Sequence, residues 1–344
     1  MHKLSRIVAS PLFRAGLLVI VLGFCSYGLY LVWPQVQPAL RQLQWYSVAG
    51  SAAAAAAGAG CMMLAWRALL ADLGSPLPLR ACLGINGLAQ LGKYVPGAVW
   101  SFAAQVELGH DHEVPRQRGS AAVVIGLAVG IGTGLIVAAV TLPLASASAA
   151  RHYLPALAVI PVVAVCLYPP VLGWLLNRAL AVARQEPLES PPSLRGLGVA
   201  SAWSLAGWLL FGVQVWLIAT DMTGRGVHIL LLVAGGYALA ASAGLLLVVF
   251  PAGIGAREVI MIAVFTLAMP RSAAVAIALT TRVLTTASDL GWAGVALLVR
   301  RTPARSKHGR HARSGKDKGR RQARYYDQAD DLRDGVLRSG NAQP

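Results

Sequence analysis

Along the 344 residues, long apolar runs alternate with short polar connectors. Uninterrupted runs fall at about 15–33, 46–71, 118–143, 154–176, 196–220 and 273–299. These lengths suit a helix crossing a bilayer, which takes roughly 20 residues. Two further runs are interrupted: 79–106 by Pro96-Gly97, and 228–269 by "FPAGIGARE" at 250–258. Proline removes a backbone donor and glycine permits a sharp bend, so each interruption predicts a turn inside an apolar segment. Pro/Ser-rich stretches such as "EPLESPPS" at 186–193 mark loops. The pattern predicts an all-α polytopic membrane protein. It has about six full spans plus two Pro/Gly-broken re-entrant segments, or up to eight spans if both broken segments cross.

The order of these runs predicts an internal repeat. The second run, the first broken segment and the next span have counterparts about 150 residues later. Broken hydrophobic segments at matching places in two halves point to a transporter's binding site. Loop charge favours re-entry. With both segments re-entrant, the internal loops hold Arg67, Arg80, Arg116, Arg118, Arg178, Arg184 and Arg195, against Arg41, Arg151, Arg225, Arg257 and Arg271 outside. That arrangement places both termini inside and makes the halves, about 15–143 and 154–299, inverted with respect to each other. The two hairpins then enter from opposite faces.

Composition agrees. The chain is 56% hydrophobic and only 13% charged, where soluble chains carry about a quarter charged residues. Its net charge of +16 would suggest nucleic acid, but from Arg300 onward 13 Lys plus Arg face 5 Asp, so half of the excess sits in the last residues. Residues 301–344 lack apolar periodicity and read as a disordered basic cytoplasmic tail resting on an anionic membrane surface. Nucleic-acid binding is not expected, because no folded module accompanies the charge. Residues 1–14 form a basic cytoplasmic start, and the run that follows reads as an uncleaved first helix. Residues 15–300 are then one transmembrane domain. Cys25, Cys61, Cys82 and Cys166 lie in apolar runs without metal or redox spacing.

Polar groups inside the apolar segments carry the chemistry, since a charge at mid-span costs about 2.5–3.5 kcal/mol on insertion scales. Asn86, Gln90 and Lys93 recur at helical spacing and share one face. Arg257 and Glu258 follow the second break, and Arg282, Thr285, Thr286 and Asp289 lie along the last span. Each has a plain structural reading: Lys93 snorkelling, Arg257 and Glu258 pairing to cap a helix start, Arg282 and Asp289 bridging helices within the bundle. Together they suggest a polar cavity, where cations near helix N-termini favour a phosphate or carboxylate. "HDHE" at 110–113 is a loop cluster without further ligands, so no metal or cofactor is expected. No GxSxG or Walker sequence is present, and no enzyme activity is expected of the chain.

"GKYVPGAVW" at 92–100, followed by "FPAGIGAREVI" at 250–260, resembles the lysylphosphatidylglycerol synthase transmembrane-region family over about residues 12–300. The resemblance implies translocation of a polar-headed, anionic lipid between leaflets of a bacterial inner membrane. The headgroup would belong to a phospholipid, a glycolipid or a polyprenyl-linked precursor. On this resemblance Lys93, Tyr94, Pro96 and Gly97, with Pro251, Gly253, Gly255, Arg257 and Glu258, become candidate substrate-binding residues beside Asn86, Gln90, Arg282 and Asp289. Bifunctional members continue into a soluble synthase domain, whereas about 45 polar residues follow the last span here. The chain is therefore expected to move a lipid made elsewhere, with a lipid-modifying enzyme as a candidate partner. The alternatives are a membrane enzyme or accessory subunit acting on lipid-linked sugars, with Glu258 and Asp289 as bases, and a non-transporting scaffold docking through its tail.

Overall fold

A computed structural model describes residues 33–34, 37–94, 99–145, 154–182, 191–224, 226–246 and 255–301. The run at 15–33, apart from Trp33, and the basic tail lie outside these residues. The described chain is helical, with no strand. Its helices are α1 (Trp45–Asp72), α2 (Leu79–Leu91), α3 (Val99–His110), α4 (Arg116–Ala145), α5 (Val159–Cys166), α6 (Pro169–Val182), α7 (Leu194–Thr223), α8 (Val227–Leu246), α9 (Ala256–Phe265) and α10 (Arg271–Arg301). Among the described residues α1, α4, α7, α8 and α10 are long and apolar enough to cross a membrane. The run at 154–176 is not one straight span: α5 and α6 meet at a 67° bend, where Pro169 and Pro170 remove consecutive backbone donors.

Helices in lipid gain little from hydrophobicity against each other, so small residues that let backbones approach decide the packing. The pair α1 and α7 shows it best. A Cβ on Gly58 would lie 3.2 Å from the Gly207 carbonyl oxygen, and one on Gly207 would lie 3.2 Å from that of Gly58. Each glycine stands at the same position counted from the first residue of its helix, and so do Asp72 and Asp221. The ends repeat the relation. The Gln44 amide donates to Asp221 Oδ2 at 2.9 Å and the Ser193 amide to Asp72 Oδ2 at 2.8 Å. Gln44 and Ser193 are the N-cap residues of α1 and α7. Each helix therefore has its N-terminus capped by an aspartate near the partner's C-terminus. The inverted repeat is written into these matched contacts.

Removing either carboxylate exposes a helix end without its acceptor. Asp72→Ala and Asp221→Ala should each lower stability by about 1 kcal/mol, the usual value of an N-cap. Equal shifts in the thermal midpoint of the detergent-solubilised protein would check the symmetry, and a large inequality between them would refute it.

Two core clusters sit at opposite ends of the bundle. One joins Leu69 and Leu70 of α1, Ile85 of α2, Ile125 of α4, Leu172 of α6 and Ala200 of α7. The other joins Leu142 of α4, Ile218 of α7, Val233 of α8, Phe265 of α9 and Ile277 of α10. Thus α2 shares one core with the first half of α4, and α9 shares the other with its second half. The first end is also the basic one. There Arg67 donates to the Leu77 carbonyl (2.9 Å), Arg118 to that of Gly74 (3.1 Å) and Arg80 to that of Val299 (2.9 Å). An exposed pair of hydrogen bonds from Arg116 to Glu107 (3.1 and 2.9 Å) closes the α3–α4 connection. These bonds hold the Glu107 carboxyl below the usual carboxylate range. The pair faces solvent and contributes little to stability.

The two broken segments fold as opposed hairpins. Helices α2 and α3 pack on each other, and so do α8 and α9. Although α8 is long enough to span, its register against α4 shows how deep it reaches. Gly235 abuts Thr141 and Leu142 near the end of α4, whereas Ser242 abuts Gly134 close to its middle. After Leu246 the chain returns through α9, which ends at Phe265 in the far-end cluster. On the other hairpin Gly87 meets the Trp292 carbonyl and Ala296 of α10, and Lys93 reaches further along, to Asp289.

Candidate functional site

Lys93 of the first hairpin and Glu258 of the second both reach the middle of α10. Lys93 lies in a short 3-10 turn, Gly92–Tyr94, that closes α2. Its ammonium pairs with Asp289, whose side chain is only 7% exposed. Snorkelling to an interface is therefore not what Lys93 does. On the second hairpin, Gly255 has φ +91°, a left-handed conformation that favours glycine, and begins α9. Its amide donates to Glu258 Oε2 at 2.8 Å, and Glu258 Oε1 lies 3.8 Å from Arg282 Nε. Sequence alone suggested an Arg257–Glu258 pair and helix-bridging roles for Arg282 and Asp289. The folded chain pairs Glu258 with Arg282 and joins each hairpin to α10 by an ion pair of opposite sense. The first hairpin supplies the cation to Asp289, and the second supplies the carboxylate to Arg282. Both α10 partners stand two turns apart on one face.

Arg257 completes the cluster. Its guanidinium carbon lies 4.4 Å from the ring centroid of the buried Tyr237, a cation–π geometry. Lys93, Arg257 and Arg282 against Glu258 and Asp289 leave one net positive charge.

Between the hairpins lies a cavity of about 360 Å³. Asn86, Gln90, Lys93, Arg257, Arg282 and Asp289 all line it, so residues far apart in sequence share one wall. Glu258 joins through Arg282, and Gly255 sits at the N-cap of α9. Pro96, Gly97, Pro251 and Gly253 lie outside the described residues, and of Tyr94 only the backbone turn is described. Sequence reasoning noted Thr285 as a neighbour of Arg282 but missed Ser288, Ser101 and Gln105, and the aromatic residues Trp66, Trp208 and Tyr237, all of which line the cavity. Serine and tryptophan are ordinary in spanning helices, and only the fold shows which face inward. Among the described residues no group of three His, Cys, Asp or Glu is placed to hold a metal.

Spanning helices, a two-fold pair at their centre and a charged cavity between opposed hairpins define a polytopic α-helical membrane protein with a polar site at mid-span. The family model described as the lysylphosphatidylglycerol synthase TM region matches residues 14–292. The chain belongs to that family, a membrane family related to lipid handling. Neither curated proteins nor solved structures gave a significant match.

Proposed function

We propose that this protein translocates a lipid with a polar, anionic headgroup between the leaflets of a bacterial inner membrane. The observation that carries the reading is the single cavity reached by both hairpin tips, with a cationic surplus at mid-length of α10. A lipid headgroup crosses a bilayer at the cost of its desolvation. A cation-lined site halfway, open to donors and water, offsets that cost while the tails remain in lipid. Arg257 stands in the first turn of α9, where the helix dipole also favours negative charge. Rocking of the two inverted halves about the α1–α7 pair would expose the cavity to each leaflet in turn.

The arginines at the basic end, Arg67, Arg80, Arg116, Arg118, Arg178 and Arg195, favour a cytoplasmic position for that end under the positive-inside rule. A lipid-modifying enzyme that makes the cargo is the partner this reading calls for. Catalysis by the chain itself is not part of the proposal.

Reconstitution into vesicles holding a fluorescent anionic lipid tests it. Accessibility of the probe to a membrane-impermeant quencher should rise with wild-type protein, and Arg257→Ala should slow this by about 10- to 100-fold, as loss of a charge-assisted contact would. Wild-type rates in both Arg257→Ala and the Lys93→Ala/Asp289→Ala pair would remove the cavity from the mechanism.

A further inference from the structure

We infer that the cavity selects a headgroup rich in hydrogen-bond acceptors, a phosphodiester with free hydroxyls and no ammonium group, and rejects cationic aminoacylated lipids. This narrows the lipid reading above and rests on it.

Three polar atoms on residues of the wall are buried with no hydrogen-bond partner: Trp66 Nε1, Asn86 Nδ2 and Ser288 Oγ. Trp66 as a whole is only 6% exposed. An indole N–H and an amide N–H can only donate, and a serine hydroxyl does either. The neighbouring cations Lys93, Arg257 and Arg282 are donors as well. The anionic acceptors that would suit an ammonium group are the two carboxylates, and both are engaged, Asp289 by Lys93 and Glu258 by Arg282 and the Gly255 amide. The wall is therefore biased toward donors. Phosphate and hydroxyl oxygens answer such a wall. An ammonium brings three more donors and a positive charge into a cluster already carrying a positive surplus.

The test uses the full-length protein in detergent, with lipid binding read by native mass spectrometry. Phosphatidylglycerol and lysyl-phosphatidylglycerol differ only in the aminoacyl cation, and phosphatidylethanolamine supplies a second amine. Phosphatidylglycerol should bind about tenfold more tightly than either, a modest case of discrimination by unanswered polar groups. Trp66→Phe and Asn86→Leu keep side-chain bulk and should shrink that preference by weakening phosphatidylglycerol alone. Equal or tighter binding of lysyl-phosphatidylglycerol by the wild type would overturn the inference, with no variant needed. Displacement of phosphatidylglycerol by sn-glycerol 3-phosphate at matching affinity would assign the site to soluble polyol phosphates and overturn the lipid part. A clear preference in binding without any movement of lipid in vesicles would uphold the headgroup chemistry and defeat the translocation reading.

Discussion

Asp289→Ala is expected to be strongly destabilising, and Lys93→Ala/Asp289→Ala milder. Removing one partner of a buried ion pair leaves the other charge without compensation, at a cost of about 3–5 kcal/mol. The lower end applies here, because the Lys93 side chain keeps 32% of its exposure while Asp289 keeps 7%. Removing both takes away the attraction and the desolvation penalty together. A double-mutant cycle on unfolding in detergent should therefore give a large favourable coupling, with the double variant more stable than Asp289→Ala. The same cycle in the vesicle assay separates stability from transport. The double variant should fold yet move lipid slowly, since the cavity has lost Lys93. Additive losses in the cycle would mean that the pair is incidental to the fold.

The second large effect is expected at Gly87. A Cβ there would run into the carbonyl oxygen of Trp292 and come within 2.8 Å of the Ala296 Cβ. Backbone oxygen cannot swing aside as a side-chain end can, so Gly87→Ala must push the first hairpin away from α10. Overpacking of this kind costs about 1–3 kcal/mol. The displacement should also stretch Lys93 from Asp289, lowering transport along with the melting temperature. Gly294→Ala is the matched control. It lies on α10, the helix that Gly87 abuts, with open space around its would-be Cβ, and the substitution should be neutral or slightly stabilising by helix propensity. Equal behaviour of the two variants would show that the hairpin does not depend on this contact.

Much of the fold was legible in the chain. Apolar runs named α1, α4, α7 and α10 to within a few residues, because a membrane helix must satisfy its own backbone and the lipid dictates its length. Pro96-Gly97 and the Pro251–Gly255 stretch marked the two hairpins, and Arg282, Lys93 and Asp289 stood out as charges where lipid tolerates few. The spacing of about 150 residues between halves anticipated the inverted repeat. The bend between α5 and α6 was missed although Pro169-Pro170 announced it, since a hydropathy window averages over a break.

Partnership was the part that sequence could not give. Neighbours in the chain suggested Arg257 with Glu258, and the shared helix face of Arg282 and Asp289 suggested bridges to other helices without naming their partners. The folded chain pairs Glu258 with Arg282 and Lys93 with Asp289, because opposed hairpins bring each tip to a different turn of α10. The matched capping of α1 and α7 by Asp221 and Asp72 was equally hidden, as each aspartate belongs by sequence to the end of its own helix. Sequence by itself determined the class of protein, the number of charges it buries and the two places where its helices break. Which charges answer one another, and which indole and amide donors face the cavity, was decided only by tertiary structure. Lipid constrains every residue of a span alike through hydrophobicity, whereas direction and pairing arise from helices that meet far apart in the chain.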